Sequence, residues 1–189
     1  MLTHTGTILS QIIKCYTKDE FSHVSIALDK ELKEMYSFGR LKANNPFIGG
    51  FVHEYINKGT FKRFYNTKTK IYSLVITDKE YENLKMNIKK IESEKENYKF
   101  NILGLFAAGF QRKIGKENSF YCAEFVKHIM EKSDISTNLP DIVKPENFKE
   151  INGIQQVYDG LLRKYSVKEN KIAENIRNSL LVYKTKTCN

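Results

Sequence analysis

Phe21-Ser22-His23-Val24-Ser25-Ile26-Ala27-Leu28 mixes polar with apolar side chains in near-alternation and is rich in β-branched residues. Such a run predicts a strand with one face buried. Residues 29–33 form a charged turn, and residues 34–39 read as the returning strand of a hairpin. In that pairing Tyr36, Ser37 and Phe38 come about opposite His23. Working outward, residues 70–76 (Lys-Ile-Tyr-Ser-Leu-Val-Ile) carry the clearest further strand, residues 51–55 supply a short one and residues 154–162 a last one. Asn44-Asn45-Pro46 and Gly49-Gly50 mark a loop between them.

Helical periodicity surrounds these strands. Residues 8–16 place Leu9, Ile12, Ile13 and Tyr16 on one face. Thr77, with Glu80 three residues on, makes a capping box for a helix running to about residue 95. Tyr81, Leu84, Ile88 and Ile91 form its buried stripe. Residues 101–110 are apolar nearly all round, as in a buried helix. Residues 119–132 predict a helix with Cys122 in its first turn, and Pro145 suits the first turn of a short helix after it. Strands clustered before residue 76, with helices flanking them, predict an α+β fold: an antiparallel sheet or small barrel packed against helices.

The 189 residues suit one domain over 1–163 with a basic tail, helical or frayed, over 164–189. A 41% hydrophobic content supports a core, so global disorder is excluded. Three cysteines, Cys15, Cys122 and Cys188, are odd in number and widely spaced, which argues against a disulfide framework or a zinc site. No Walker loop, dinucleotide glycine fingerprint or His-Glu-x-x-His helix occurs, so no metal or organic cofactor is implied. The opening residues lack a signal-peptide pattern, and the most apolar run, residues 100–110, is too short to span a bilayer. These features predict a cytoplasmic protein. The net charge of +9 favours anionic surroundings, such as an anionic polymer or membrane surface. Nucleic acid is disfavoured, because no recognition signature accompanies the charge.

The residues able to do chemistry are few. Cys122, Phe125, Val126 and Ile129 share one helical face, so the thiol points toward the core side at the head of a helix. The positive end of the helix dipole favours thiolate there. A buried cysteine is also a common core residue, so a partner must decide. His23, on a rigid strand, is the candidate base. His128 lies six residues past Cys122, on a different face, and His4 sits near the chain end. A third group must orient the imidazole. Ser37 is the polar candidate opposite His23, and Glu54 and His53 are rivals.

The His23 strand, a second strand, and a late Phe120-Tyr121-Cys122-Ala123-Glu124-Phe125-Val126 helix resemble the circularly permuted branch of the NlpC-type papain-like superfamily, with its YiiX-like and lecithin retinol acyltransferase-like members. Thr5-Gly6-Thr7-Ile8-Leu9 is similar to the family's approach to the histidine strand, and Lys144-Pro145-Glu146-Asn147-Phe148 to its Pro-Glu segment. The resemblance spans roughly residues 3–162. It implies a permuted papain-like fold and a thiol hydrolase or acyl transferase, with Cys122 as nucleophile, His23 as base and Ser37 at the third polar position. Family members usually carry a stronger acceptor at that position. Peptides, peptidoglycan fragments and lipid-like amides or esters are the implied substrates. The alternative is an inactive relative that binds an anionic polymer or membrane surface.

Overall fold

The computed structural model describes residues 1–7, 10–11, 19–42, 45–101 and 118–165. In chain order the strands are β1 (Leu2–His4), β2 (His23–Val24), β3 (Ile26–Ala27), β4 (Met35–Lys42), β5 (Asn45–Glu54), β6 (Lys68–Ser73), β7 (Lys99–Phe100), β8 (Ser119–Phe120) and β9 (Gln155–Leu161). The α-helices are α1 (Gly59–Arg63), α2 (Asp78–Ser93) and α3 (Cys122–Lys132), and a 3-10 turn spans Pro145–Glu150. The fold is α+β. One antiparallel sheet runs β2-β1-β6-β9, a second runs β3-β4-β5, and β7 and β8 form a parallel pair.

The stretch expected as one strand is divided between the two antiparallel sheets. Its first half pairs with β1, Thr3 opposite His23 and Leu2 opposite Val24. Its second half pairs with β4, Ile26 opposite Tyr36 and Ala27 opposite Met35. Ser25 stands at the junction, and its N–H donates to the Met1 carbonyl at 2.9 Å. A strand that changes sheets is a known way to turn a corner between packed sheets. The returning strand forms as β4, closed by a turn in which the Asp29 carboxylate accepts from the Lys33 and Glu34 backbone N–H groups.

Two expectations are corrected here. Of the loop expected from Asn44 to Gly50, residues 45–50 are instead the first half of β5, which continues unbroken to Glu54, and residue 44 lies outside the described residues. Pro46 lies near the start of this strand, where a missing N–H is tolerated. Gly49 serves a close approach: a Cβ on it would lie 2.6 Å from the Phe100 ring and 2.8 Å from the Gly39 carbonyl oxygen. The strand at residues 70–76 begins and ends two to three residues earlier, because Thr77 is already committed to capping α2. Thr77 Oγ1 accepts from the Glu80 N–H at 3.2 Å, and the Thr77 N–H donates to Glu80 Oε2 at 2.7 Å. Strand β1, which lies between β2 and β6, was not anticipated. The helix expected at residues 8–16 lies mostly outside the described residues, as do the helix expected at 101–110, the tail beyond 165, Cys15 and Cys188.

The core sits where α3 meets β4 and β5. Phe125 is fully buried, with its ring centroid 5.2 Å from that of Phe38 and 5.8 Å from that of Phe51. On its other side α3 packs on Leu84, Ile88 and Ile91 of α2. Each such side chain contributes about 1.5–3 kcal/mol through burial. This packing fixes α3 and therefore its first residue, Cys122. Among the described residues no helix is long and apolar enough to cross a membrane.

Gly49→Ala is expected to lower stability by about 1–3 kcal/mol, because the Phe100 ring must move to admit a methyl group. Gly50→Ala meets only Leu41 side-chain atoms at 3.6–3.8 Å, and its effect should stay within about 0.5 kcal/mol. Thermal unfolding of both variants checks the pair, and equal losses would refute the close-approach explanation.

Candidate active site

Alternation along a strand sets the polar cluster. Ser37, Gly39 and Glu54 fall on one face of the β4-β5 hairpin, because Ser37 pairs with Val52 and Met35 with Glu54. Phe38 and Phe51 take the other face and meet Phe125. His23 and Ser25, two residues apart, reach the same polar face. A Cβ placed on Gly39 would touch His23 Cε1 and Ser37 Oγ at 3.4 Å and Glu54 Oε1 at 3.9 Å.

Within this cluster the imidazole is held by Glu54. His23 Nε2 lies 2.9 Å from Glu54 Oε1, with the His23 side chain 20% and the Glu54 side chain 10% exposed. Ser25 braces the pair: its hydroxyl donates a short hydrogen bond to Glu54 Oε2 and lies 3.4 Å from His23 Nε2. The Cys122 sulfur lines the same cavity as the ring and helps raise its pKa.

Cys122 is 4% exposed and is the first residue of α3. The helix head is anchored on three sides. The Tyr121 N–H donates to Glu124 Oε2 at 3.1 Å, Asn101 Nδ2 donates to the same oxygen at 3.3 Å, and the Tyr121 hydroxyl donates to the Val143 carbonyl at 2.8 Å. The Cys122 N–H belongs to the first helical turn, where the helix supplies no acceptor.

The structure therefore brings His23 and Cys122 together and gives the ring contact to Glu54, the rival, rather than to Ser37. Ser37 is fully buried beside Glu54 and helps hold that carboxyl down, but its hydroxyl makes no hydrogen bond of normal geometry. His53, the other rival, is on the opposite face: its Nε2 meets the Lys33 carbonyl at 2.8 Å, and its Nδ1 accepts from the Tyr55 hydroxyl at 2.9 Å. His128 packs on the Phe120 ring, centroids 4.9 Å apart. Ser25 was visible as a neighbour of His23, but nothing in the sequence signalled its bond to Glu54.

The electrostatics follow from this geometry. Burial by itself would push the His23 pKa down. The Glu54 carboxylate and the Cys122 sulfur, by charge and by hydrogen bonds, outweigh burial and push it up to about 10. Glu54 would be pushed up by burial, but His23, Ser25 and Ser37 hold it below the usual carboxylate range. A cavity of about 70 Å³ opens beside the cluster, lined by His23, Cys122, Glu54, Arg40, Phe61 and Phe100 among others. Among the described residues no group of His, Cys, Asp and Glu side chains is arranged to hold a metal ion.

The pKa of His23 rises from 6.5 to about 10 on folding. In that window the folded chain holds a proton the unfolded chain has lost, so its contribution is complete below 6.5 and falls as pH climbs to about 10. Glu54 acts in the opposite direction: its contribution is present above its ordinary 4.5 and is lost as pH falls through its lower folded value. Urea midpoints measured across this range should show both limbs, and Glu54→Gln should flatten them. An alkaline limb unchanged in Glu54→Gln would contradict the assigned pairing. A scan against protein-family models, a search of curated proteins and a search of solved structures each return no match.

Proposed function

We propose that this chain is a thiol hydrolase of amides or esters, built on a permuted papain-like plan, with Cys122 as nucleophile, His23 as its acid–base partner and Glu54 as the residue that orients the ring. The observation that carries the reading is a single imidazole bonded to a buried carboxylate, its pKa raised by that carboxylate and by a helix-head cysteine that lines the same cavity. A purely structural cysteine needs neither the ring nor the carboxylate behind it.

The pair reacts with its one shared proton on the His23 ring, the form favoured by a ring pKa pushed up to about 10. The sulfur attacks the carbonyl carbon, and the carbonyl oxygen becomes an oxyanion beside the Cys122 N–H. As the tetrahedral species collapses, the carbon–nitrogen or carbon–oxygen bond breaks, and the leaving amine or alcohol takes the proton from His23. The thioester remains. Water then attacks it, giving one proton to His23. The carbon–sulfur bond breaks, the acid product leaves, and the sulfur and ring return to their starting state. Glu54 keeps the ring aimed throughout and stabilises its positive charge, the part Ser37 was expected to play.

Iodoacetamide labelling at pH 7, with the modified site read by mass spectrometry because Cys15 and Cys188 also carry thiols, tests the assignment. Cys122 should react faster than free cysteine. His23→Ala should slow it about 10²-fold or more, and Glu54→Gln by about tenfold. Ser37→Ala should stay within about threefold of wild type. Cys122 reacting no faster than free cysteine, or equally fast without His23, would refute the reading.

A further inference from the structure

Arg40 stands in the wall of the cavity that Cys122, His23 and Glu54 also line. It lies on β4 directly after Gly39, the residue whose missing side chain leaves room beside the ring. The guanidinium is half-buried. Its Nη2 donates to Thr7 Oγ1 at 2.7 Å, and the group lies 5.7 Å from the centroid of the Phe64 ring. Among the described residues no carboxylate forms an ion pair with it. Among the described residues Glu54 is the carboxylate that lines the cavity, and it is claimed by His23 and Ser25.

A guanidinium keeps its charge at any working pH and carries five N–H donors in a rigid fork. A half-buried guanidinium without an acid gains from an anion that completes it. Thr5, Ser10 and Thr60 line the same cavity, the Thr5 hydroxyl donating to Thr7 Oγ1 and the Ser10 hydroxyl to the Thr7 carbonyl. A cavity of about 70 Å³ admits a small planar group. Phe61 and Phe100 form an apolar wall that would strengthen the attraction by excluding water.

We infer that Arg40 is a specificity residue that binds a carboxylate of the substrate, carried close to the scissile carbonyl, so that the preferred substrates are acidic acyl compounds rather than neutral ones. This rests on the thiol-hydrolase reading of the same site. A carboxylate matches the guanidinium fork through two parallel N–H···O bonds, worth roughly 10-fold to 100-fold in discrimination against a neutral isostere.

Iodoacetate and iodoacetamide separate the two questions. They are close in size, each transfers its carbon to the Cys122 sulfur with loss of iodide, and only the first carries a carboxylate. The ratio of their rates at Cys122, divided by the same ratio for free cysteine, reads recognition of the anion. Wild type should exceed unity, with His23 contributing part of the preference. Arg40→Met should lower the ratio about tenfold, and Arg40→Lys should retain an intermediate value, because a single ammonium keeps the charge but loses the fork. A second measurement needs only wild-type protein: acetate should slow iodoacetamide at Cys122, and acetamide should not. Inorganic phosphate protecting better than acetate would overturn the carboxylate assignment in favour of a phosphoryl group. A ratio unchanged in Arg40→Met, or equal protection by acetate and acetamide, would overturn the role of Arg40 while leaving the nucleophile intact. Slow reaction of Cys122 with both reagents would instead count against the hydrolase reading itself.

Discussion

A carboxylate and an imidazole held 2.9 Å apart and mostly out of water impose the central constraint on this fold. Two charges in such a place are tolerated only together, since removing one leaves the other desolvated and uncompensated. They come from different sheets. His23 is on β2, which pairs with β1; Glu54 is on β5, which pairs with β4. The sheets must therefore be brought into register with each other, and the continuous stretch from His23 to Ala27 does this by belonging to both. Ser25, at the point of exchange, uses its backbone N–H to hold the first sheet's edge and its hydroxyl to hold the Glu54 carboxylate. One residue thus ties the corner of the fold to the polarity of the site.

The aromatic core settles where the sulfur goes. Phe125 sits one helical turn after Cys122, and its ring is clasped between Phe38 and Phe51. Phe38 and Phe51 are cross-strand partners on the face of the hairpin opposite Ser37, Gly39 and Glu54. The same alternation that sends polar groups to the ring sends apolar ones to the helix. A register slip of one residue would exchange these faces and dismantle core and site together. This gives the hairpin little freedom to vary, and it explains why hydrophobic packing, with no polar chemistry of its own, is able to position a thiol.

What the sequence made legible was local. The Thr77–Glu80 box, the stripe of α2 and the face shared by Cys122, Phe125, Val126 and Ile129 each depend on residues a few positions apart, and each is present, except that Tyr81 of the stripe is only partly buried. The assignment of Ser37 as partner to His23 relied on strand pairing alone. Pairing identified the right face, but it could not weigh side-chain reach across two strands, and the longer Glu54 makes the contact. The loop expected at Gly49-Gly50 failed for a similar reason. Glycine breaks strands by local propensity, whereas here its small size admits the Phe100 ring, a demand made by a residue far along the chain. Strand β1 has only three residues, too few for a period to show.

Charge behaves differently at the two scales. The net charge of +9 is a property of the surface and speaks to any anionic surroundings, from polymers to membranes. The cavity is a separate matter. Its walls hold one carboxylate, one imidazole drawn strongly toward its protonated form, and one guanidinium. Glu54 balances the ring, and the balance is local because both groups are shielded from water. Arg40 is left over. Surface lysines are screened by salt and solvent over roughly 8–10 Å, whereas a half-buried guanidinium in a cavity wall is screened less. On the proposed reading, selectivity depends on one arginine in the cavity wall, and the abundance of lysine elsewhere carries little information about the substrate.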